Sequence, residues 1–195
     1  MLNPEDLFAA FDPSTGTIDG RPTITRHLSD LRGLFLDSTA FETAVGDKDP
    51  VVYTVASIDF ARGEGQLHCG LGVINPGRVG SEYYFTKGHL HSWKEAAEFY
   101  IGLRGRGLMI LEDEKSGESA VVDLLPNSTV YVPGHTAHRT VNTGDTPLVY
   151  IGVYPSQAGH DYSSIENRNF RKVVVEKKGA PAVMDRTDFS HQYQS

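Results

Sequence analysis

Between Thr86 and Tyr100 the chain reads T-K-G-H-L-H-S-W-K-E-A-A-E-F-Y, and this stretch narrows the choice of fold more than any other. His89 and His91 are two residues apart, so on an extended strand both side chains leave the same face. Glu98 follows seven residues after His91, an odd offset that cannot share that face on one continuous strand. A turn around Ser92–Glu95 must intervene. The chain then returns as A-E-F-Y-I-G-L, with Glu98 and Tyr100 on one face and Phe99 and Ile101 on the other. Two imidazoles and a carboxylate thus converge from neighbouring strands, a donor set suited to a borderline divalent metal.

The fourth donor comes from P-N-S-T-V-Y-V-P-G-H-T-A-H-R-T-V-N, residues 126–142. Thr129–Val132 reads as a strand, Pro133-Gly134 breaks it, and Ala137–Asn142 resumes it with His138, Thr140 and Asn142 on one face. One histidine alone on a strand is usually an ordinary hydrogen-bonded residue. Four potential ligands at these spacings, flanked by turn residues, point to a metal site. The two blocks together resemble the two-part signature of the cupin superfamily. His135 reads as a rim residue and not a further ligand, and His27, His68 and His191 carry no functional claim.

A chain of 195 residues is long enough for one domain with a real core. Its net charge of −7, with no basic stripe, argues against nucleic-acid and anionic-membrane partners. Cys69 is the lone cysteine, which excludes a disulfide framework and fits a reducing compartment. Its expected place is buried in the strand Gln66–Asn75. No apolar run approaches a membrane span and Met1–Ala10 does not read as a signal peptide, so the expected location is cytoplasmic.

Residues 1–48 read as an N-terminal arm lying over the sheet, or over a partner's sheet, with short helices at Leu28–Leu36 and Ser38–Val45. Thr39-x-x-Glu42 has the form of a capping box. From Val51 the pattern alternates and is β-branched. Strands follow at Val51–Phe60, Gln66–Asn75, Glu82–Thr86, Arg106–Glu112, Ser119–Leu125, Pro147–Pro155 and Arg171–Glu176, separated by turn signals. The barrel with its mouth loop spans 49–176, and 177–195 reads as a tail, polar over Asp185–Ser195. Such spacing indicates an all-β sandwich or barrel. Inward-facing ligands near strand ends select a small jelly-roll barrel, the cupin double-stranded β-helix.

A narrower resemblance rests on several blocks. They are S-D-L-R-G-L-F-L-D (29–37), D-P-V-V-Y (49–53), P-G-R-V-G (76–80), F-T-K-G-H-L-H (85–91) and A-E-F-Y-I-G-L-R-G-R-G (97–107). They continue with V-Y-V-P-G-H-T-A-H-R-T-V-N-T-G-D (130–145) and Y-P-S-Q-A-G-H-D-Y (154–162). In these the chain is similar to the archaeal-type, cupin-fold glucose-6-phosphate isomerases. The resemblance implies an enzyme of glycolysis and gluconeogenesis that interconverts glucose 6-phosphate and fructose 6-phosphate as a homodimer. It implies one divalent metal per subunit, iron(II) before zinc, nickel or manganese, held by His89, His91, Glu98 and His138. Thr86, Lys87 and Gly88 match the loop beside the sugar phosphate, and Tyr53, Tyr100, Tyr154, His160 and Tyr162 match the pocket. Gly72 departs from the pattern, standing where a family member has a hydroxyl residue near the phosphate.

Read without the family, Glu98 is the acidic residue of the cluster and so the default base, with Tyr100 on its face. It can equally swing between metal and substrate, or only anchor the metal for a hydride shift. His160 and Tyr162 lie in a loop able to close over the mouth. The donor set also fits a cupin dioxygenase of the non-haem iron type, a mannose-6-phosphate isomerase, or a binding cupin without catalysis.

Overall fold

The computed structural model describes residues 7–190; residues 1–6 and 191–195, and with them His191 and the end of the expected polar tail, lie outside the described residues. The described chain begins with the hairpin β1 (Phe11–Asp12) and β2 (Thr17–Ile18), then β3 (Thr23–His27), a 3-10 turn (Leu28–Leu31) and α1 (Ser38–Asp47). The barrel strands follow as β4 (Val51–Ile58), β5 (Leu67–Ile74), β6 (Arg78–Val79), β7 (Glu82–Tyr83), β8 (Glu98–Arg104), β9 (Gly107–Asp113), β10 (Ser119–Leu124), β11 (Thr129–Val132), β12 (Thr136–Asn142) and β13 (Leu148–Pro155). The chain then runs through α2 (Ser163–Arg168), β14 (Lys172–Lys177), β15 (Ala180–Asp185) and α3 (Arg186–Ser190).

Every strand pair is antiparallel, and the order of strands shows the crossovers of a jelly roll. One sheet runs β11-β8-β13-β5-β4-β3; opposite it stand β10-β9-β12 and β15-β14-β7-β6. Bridges from Phe85 to Val141 and from His89 to His138 join the segment after β7 to β12. Leu28, Phe85, Leu90, Met109, Leu124 and Phe170 pack between the sheets, all nearly or wholly buried. This is the all-β jelly-roll barrel expected from the sequence. The turn at Ser92–Glu95, the hairpin across Asp113–Glu118 and the break at Pro133-Gly134 also fall where the sequence puts them.

Several local expectations change, and the helix expected over Leu28–Leu36 shrinks to the 3-10 turn Leu28–Leu31. The N-cap of α1 is Asp37, whose carboxylate accepts a hydrogen bond from the Ala40 N–H at 2.8 Å. Thr39 lies two residues too late to cap, and Glu42 pairs with Arg32 instead. Residues 180–185 are no tail: β15 pairs with β14 along its whole length across the turn Lys178-Gly179, where both residues have positive φ. Pro181 lies within that run, and β15 stands at a sheet edge, where proline is tolerated. Helices α2 and α3 were unforeseen, since five or six residues are too few to show a helical period. Cys69 is half-buried, not buried, and burial raises its thiol pKa.

Ile18 is buried against Ala56, Ile58, Leu71, Val73 and Val149 on the outer face of the six-stranded sheet, while β3 extends its edge by pairing with β4. The revised cap makes a testable claim. Asp37→Ala should lower the unfolding free energy by about 0.5–2 kcal/mol, the usual effect of losing a cap. Thr39→Ala should change it by less than about 0.5 kcal/mol, as an ordinary surface substitution does. Urea denaturation of the two variants decides it, and equal losses would return the cap to Thr39.

Candidate active site

The inner face of the six-stranded sheet is read off by alternation. Arg26 on β3, Tyr53, Val55 and Ser57 on β4, Gly70 and Gly72 on β5, Glu98 and Tyr100 on β8, and Tyr150, Gly152 and Tyr154 on β13 line one cavity of about 240 Å³. Glycines on adjacent strands hollow this face, since Gly70 pairs with Gly152. The space at 152 is needed: a Cβ there would stand 2.4 Å from Glu98 Oε1.

The opposite wall is the segment 86–91 laid along β12. His89 exchanges backbone hydrogen bonds with His138, and the Thr86 N–H donates to the Thr140 carbonyl. Between these contacts Thr86-Lys87-Gly88 arches away, with Gly88 in the left-handed region at φ +75°. Arg139 holds the arch from behind. Its guanidinium sits 4.2 Å from the Phe85 ring centroid and 4.5 Å from that of Phe170. It donates to the Lys87 carbonyl at 2.8 Å and to Asn169 Oδ1 at 2.9 Å. Burial, followed by repulsion from Arg186, lowers its pKa to about 9, so it remains a cation at neutral pH.

The four expected ligands come together. One donor atom from each of His89, His91, Glu98 and His138 lies within 4.8 Å of the others. His91 Nδ1 donates to the Ala96 carbonyl at 2.9 Å, which leaves the Nε2 lone pair for the cluster. His138 Nδ1 is 3.2 Å from the Thr136 carbonyl, with the same consequence. Glu98 Oε2 is 3.2 Å from His91 Nε2 and 3.0 Å from His138 Nε2. Yet Glu98 Oε2 and the three Nε2 atoms are buried without a well-formed hydrogen bond. Buried polar atoms are rarely left so unless something else takes their lone pairs. Bonds of about 2.0–2.2 Å place the donors around a cation no more than about 4.4 Å apart, so this set needs little closing. The group could hold a metal ion.

Electrostatics agree with that use. Burial raises the Glu98 pKa, but the His138 and His91 rings, 3.0 and 3.2 Å from its carboxylate, outweigh it and bring the value to about 2. Glu98 is therefore an anion at neutral pH. Burial, with the neighbouring imidazoles, drives the His89 pKa well down, leaving a neutral ring able to act as a ligand. Burial and then the Glu98 charge push the Tyr100 phenol well up, and the same pair of causes raises Tyr154 to about 12. Both phenols keep their protons at neutral pH.

The mouth loop is pinned to the ligand strand. Leu90 and Asp161 exchange backbone hydrogen bonds, and Lys94 Nζ reaches Asp161 Oδ2 and Glu114 Oε1, each at 3.2 Å. His160 thereby stands with its ring centroid 4.4 Å from that of His89, and Tyr162 stacks on His160 with an interplanar angle of 9°. His135 turns to Glu114 at the rim and stays out of the cluster. One expected residue is directed elsewhere: the Lys87 ammonium is 2.5 Å from Glu166 on α2 and over the Tyr162 ring, while its side chain does not line the cavity. The Lys87 backbone N–H instead serves the Tyr53 hydroxyl. Arg26 and Tyr150 line the cavity and were not foreseen. Period-two alternation from Tyr154 through Gly152 would have found Tyr150, and the pairing of Arg26 with Tyr53 explains why an arm residue reaches the site.

Residues 25–190 match the family described as glucose-6-phosphate isomerase (GPI). The chain belongs to that family. A glucose-6-phosphate isomerase of Pyrococcus abyssi is 45% identical over 181 residues, 93% of this chain and 95% of that one. Another, from Thermococcus kodakarensis, is 44% identical over 174 residues, 89% of this chain and 91% of that one. A putative glucose-6-phosphate isomerase 1 of Rhizobium meliloti is 38% identical over 156 residues, 79% of this chain and 72% of that one. The isomerase-family match contains the whole ligand cluster, the arch and the mouth loop.

The unpaired cluster predicts that His91→Ala and His138→Ala each lower divalent-metal affinity by at least about tenfold, a loss that even outer residues of metal sites can cause. Elemental analysis after dialysis against metal measures it. Full occupancy in either variant would remove that histidine from the ligand set.

Proposed function

We propose that this chain interconverts glucose 6-phosphate and fructose 6-phosphate, using one divalent metal held by His89, His91, Glu98 and His138. The observation that carries the reading is the cavity's division of labour. One end gathers unpaired ligand atoms, and the other gathers hydroxyls, backbone N–H groups and the Arg26 guanidinium. A metabolite with a hydroxy-carbonyl head and a phosphate tail matches both ends. Family membership supplies the substrate class.

The reaction moves hydrogen between C1 and C2 while the oxygens on those carbons exchange roles. A divalent cation at the cluster supplies Lewis-acid polarisation of those oxygens; iron(II) is our first choice, with zinc, nickel or manganese also suited to three imidazoles and a carboxylate. Glu98, anionic at neutral pH, is placed to take a proton from one carbon and return it to the other. Tyr100 shares its face and keeps a proton to donate to a sugar oxygen. His160, over His89, is placed to move a proton at the ring oxygen. At the other end Thr86, Tyr53 and the Gly88 backbone would take the phosphate, and Tyr154 and Tyr162 would wall the sugar. Lys87 contributes through its backbone and by its pair with Glu166, which ties the arch to α2.

We also place the protein in the cytoplasm, in glycolysis and gluconeogenesis, as a homodimer. The single cysteine fits a reducing compartment. For the dimer, Phe99 and Tyr131 pair across β8 and β11 on the outer face and remain 41% and 59% exposed, an apolar surface a second copy would cover.

Protein stripped of metal and reloaded should convert fructose 6-phosphate to glucose 6-phosphate, reported by a coupled dehydrogenase, without consuming oxygen. Failure with every metal tried would end the proposal. At saturating metal, Glu98→Gln should lower kcat by about 10²–10⁴ if Glu98 carries the proton. Turnover close to that of the parent would leave Glu98 as a metal anchor and favour a hydride shift.

A further inference from the structure

Gly72 lies in the middle of β5, directly opposite Tyr150 on β13. Glycine weakens a strand interior, and where it persists another group often approaches closely. The backbone at 72 lies outside the left-handed region, so conformation does not require glycine. Space does. A Cβ at 72 would stand 2.4 Å from the Tyr150 Cζ and 2.6 Å from its hydroxyl oxygen. The phenol end of Tyr150 therefore fills the volume that a side chain at 72 would take.

What that arrangement delivers is a hydroxyl at the tail end of the cavity. Tyr150 is 6% exposed, its ring centroid 5.4 Å from that of Tyr100, which in turn is 5.8 Å from that of His138. Tyr100 thus stands between Tyr150 and the ligand cluster. On the far side the Thr140 side chain lies beside the Tyr150 hydroxyl, and the Thr140 N–H donates to Thr86 Oγ1 at 3.1 Å. Tyr53, facing Lys87, belongs to the same group of hydroxyls. Burial raises the Tyr150 pKa, so the phenol keeps its hydrogen at neutral pH and can offer it to something in the cavity.

We propose that the Tyr150 hydroxyl donates a hydrogen bond to the substrate's phosphate and that Gly72 is the residue that admits it. The two positions act as one specificity determinant, each without value if the other changes. The inference rests on the sugar-phosphate reading above and adds to it a donor on β13, across the cavity from the Thr86–Gly88 arch.

The test uses metal-loaded protein and three variants: Tyr150→Phe, Gly72→Ala and the double substitution. Two quantities are read: KM and kcat for fructose 6-phosphate, and the calorimetric Kd for inorganic phosphate. Losing one hydrogen bond should raise KM and Kd by about threefold to tenfold in Tyr150→Phe, with metal content unchanged and kcat within about twofold. Gly72→Ala should raise both at least as much, because it displaces the ring. In that background Tyr150→Phe should add nothing, since the hydroxyl is already out of place. Unchanged KM and Kd in Tyr150→Phe, a fall in kcat instead, or penalties that simply add would overturn the proposal, and so would absence of phosphate binding by the parent. If the parent binds phosphate but does not turn over fructose 6-phosphate, the activity reading fails while the Kd series still decides the hydroxyl. Tyr150→Phe keeps the ring and stays decisive even if Gly72→Ala does not fold.

Discussion

Burying the Arg139 guanidinium between Phe85 and Phe170 removes it from water, and an uncompensated charge there would be intolerable. The compensation is what shapes the site. One arm of the fork donates to the Lys87 carbonyl and the other to Asn169, so β12, the 86–88 arch and the chain after α2 meet at a single cation. Glu82, nearly buried on β7, supplies the opposite charge nearby. Arg139 is flanked by His138 and Thr140, whose side chains leave the other face of the strand toward the cavity. The buried cation and the ligand are thus two sides of the same strand. Whatever fixes Arg139 fixes the depth and angle of His138.

The other wall achieves a complementary result by removing bulk. Gly70, Gly72 and Gly152 remove side chains from the six-stranded sheet's inner face, and at 72 and 152 the room goes to the Tyr150 phenol and the Glu98 carboxylate. A barrel this small would otherwise fill itself with side chains. Its ability to take a ligand is therefore set by three missing side chains as much as by the residues present.

How far the sequence revealed this depended on whether the signal was local. The ligand set was legible because His89, His91, Glu98 and His138 obey strand alternation around identifiable turns, and alternation is geometry that residue spacing preserves. The barrel followed from the same alternation. The cap at Asp37 was obscured because Thr39 and Glu42 offered an equally plausible local pattern, and tertiary pairing of Glu42 with Arg32 decided between them. Lys87 illustrates a different limit. Its place beside a ligand suggested a phosphate contact, but the direction of a long side chain depends on what lies near its far end, here Glu166 from 79 positions later in the chain. Arg26 depended on register between β3 and β4, which one strand's pattern does not contain. Gly72 was visible as an oddity, and its reason was not, because the group it accommodates sits on another strand.

The bridge between Leu90 and Asp161 joins the mouth loop to the residue lying between two ligands, His89 and His91. A cover built this way cannot swing on a free hinge. Pulling it outward strains the strand that carries the imidazoles, and straightening that strand draws the cover down. For any cation that the cluster holds, opening the mouth and loosening the grip would be the same movement, so an open mouth would also hold it least firmly.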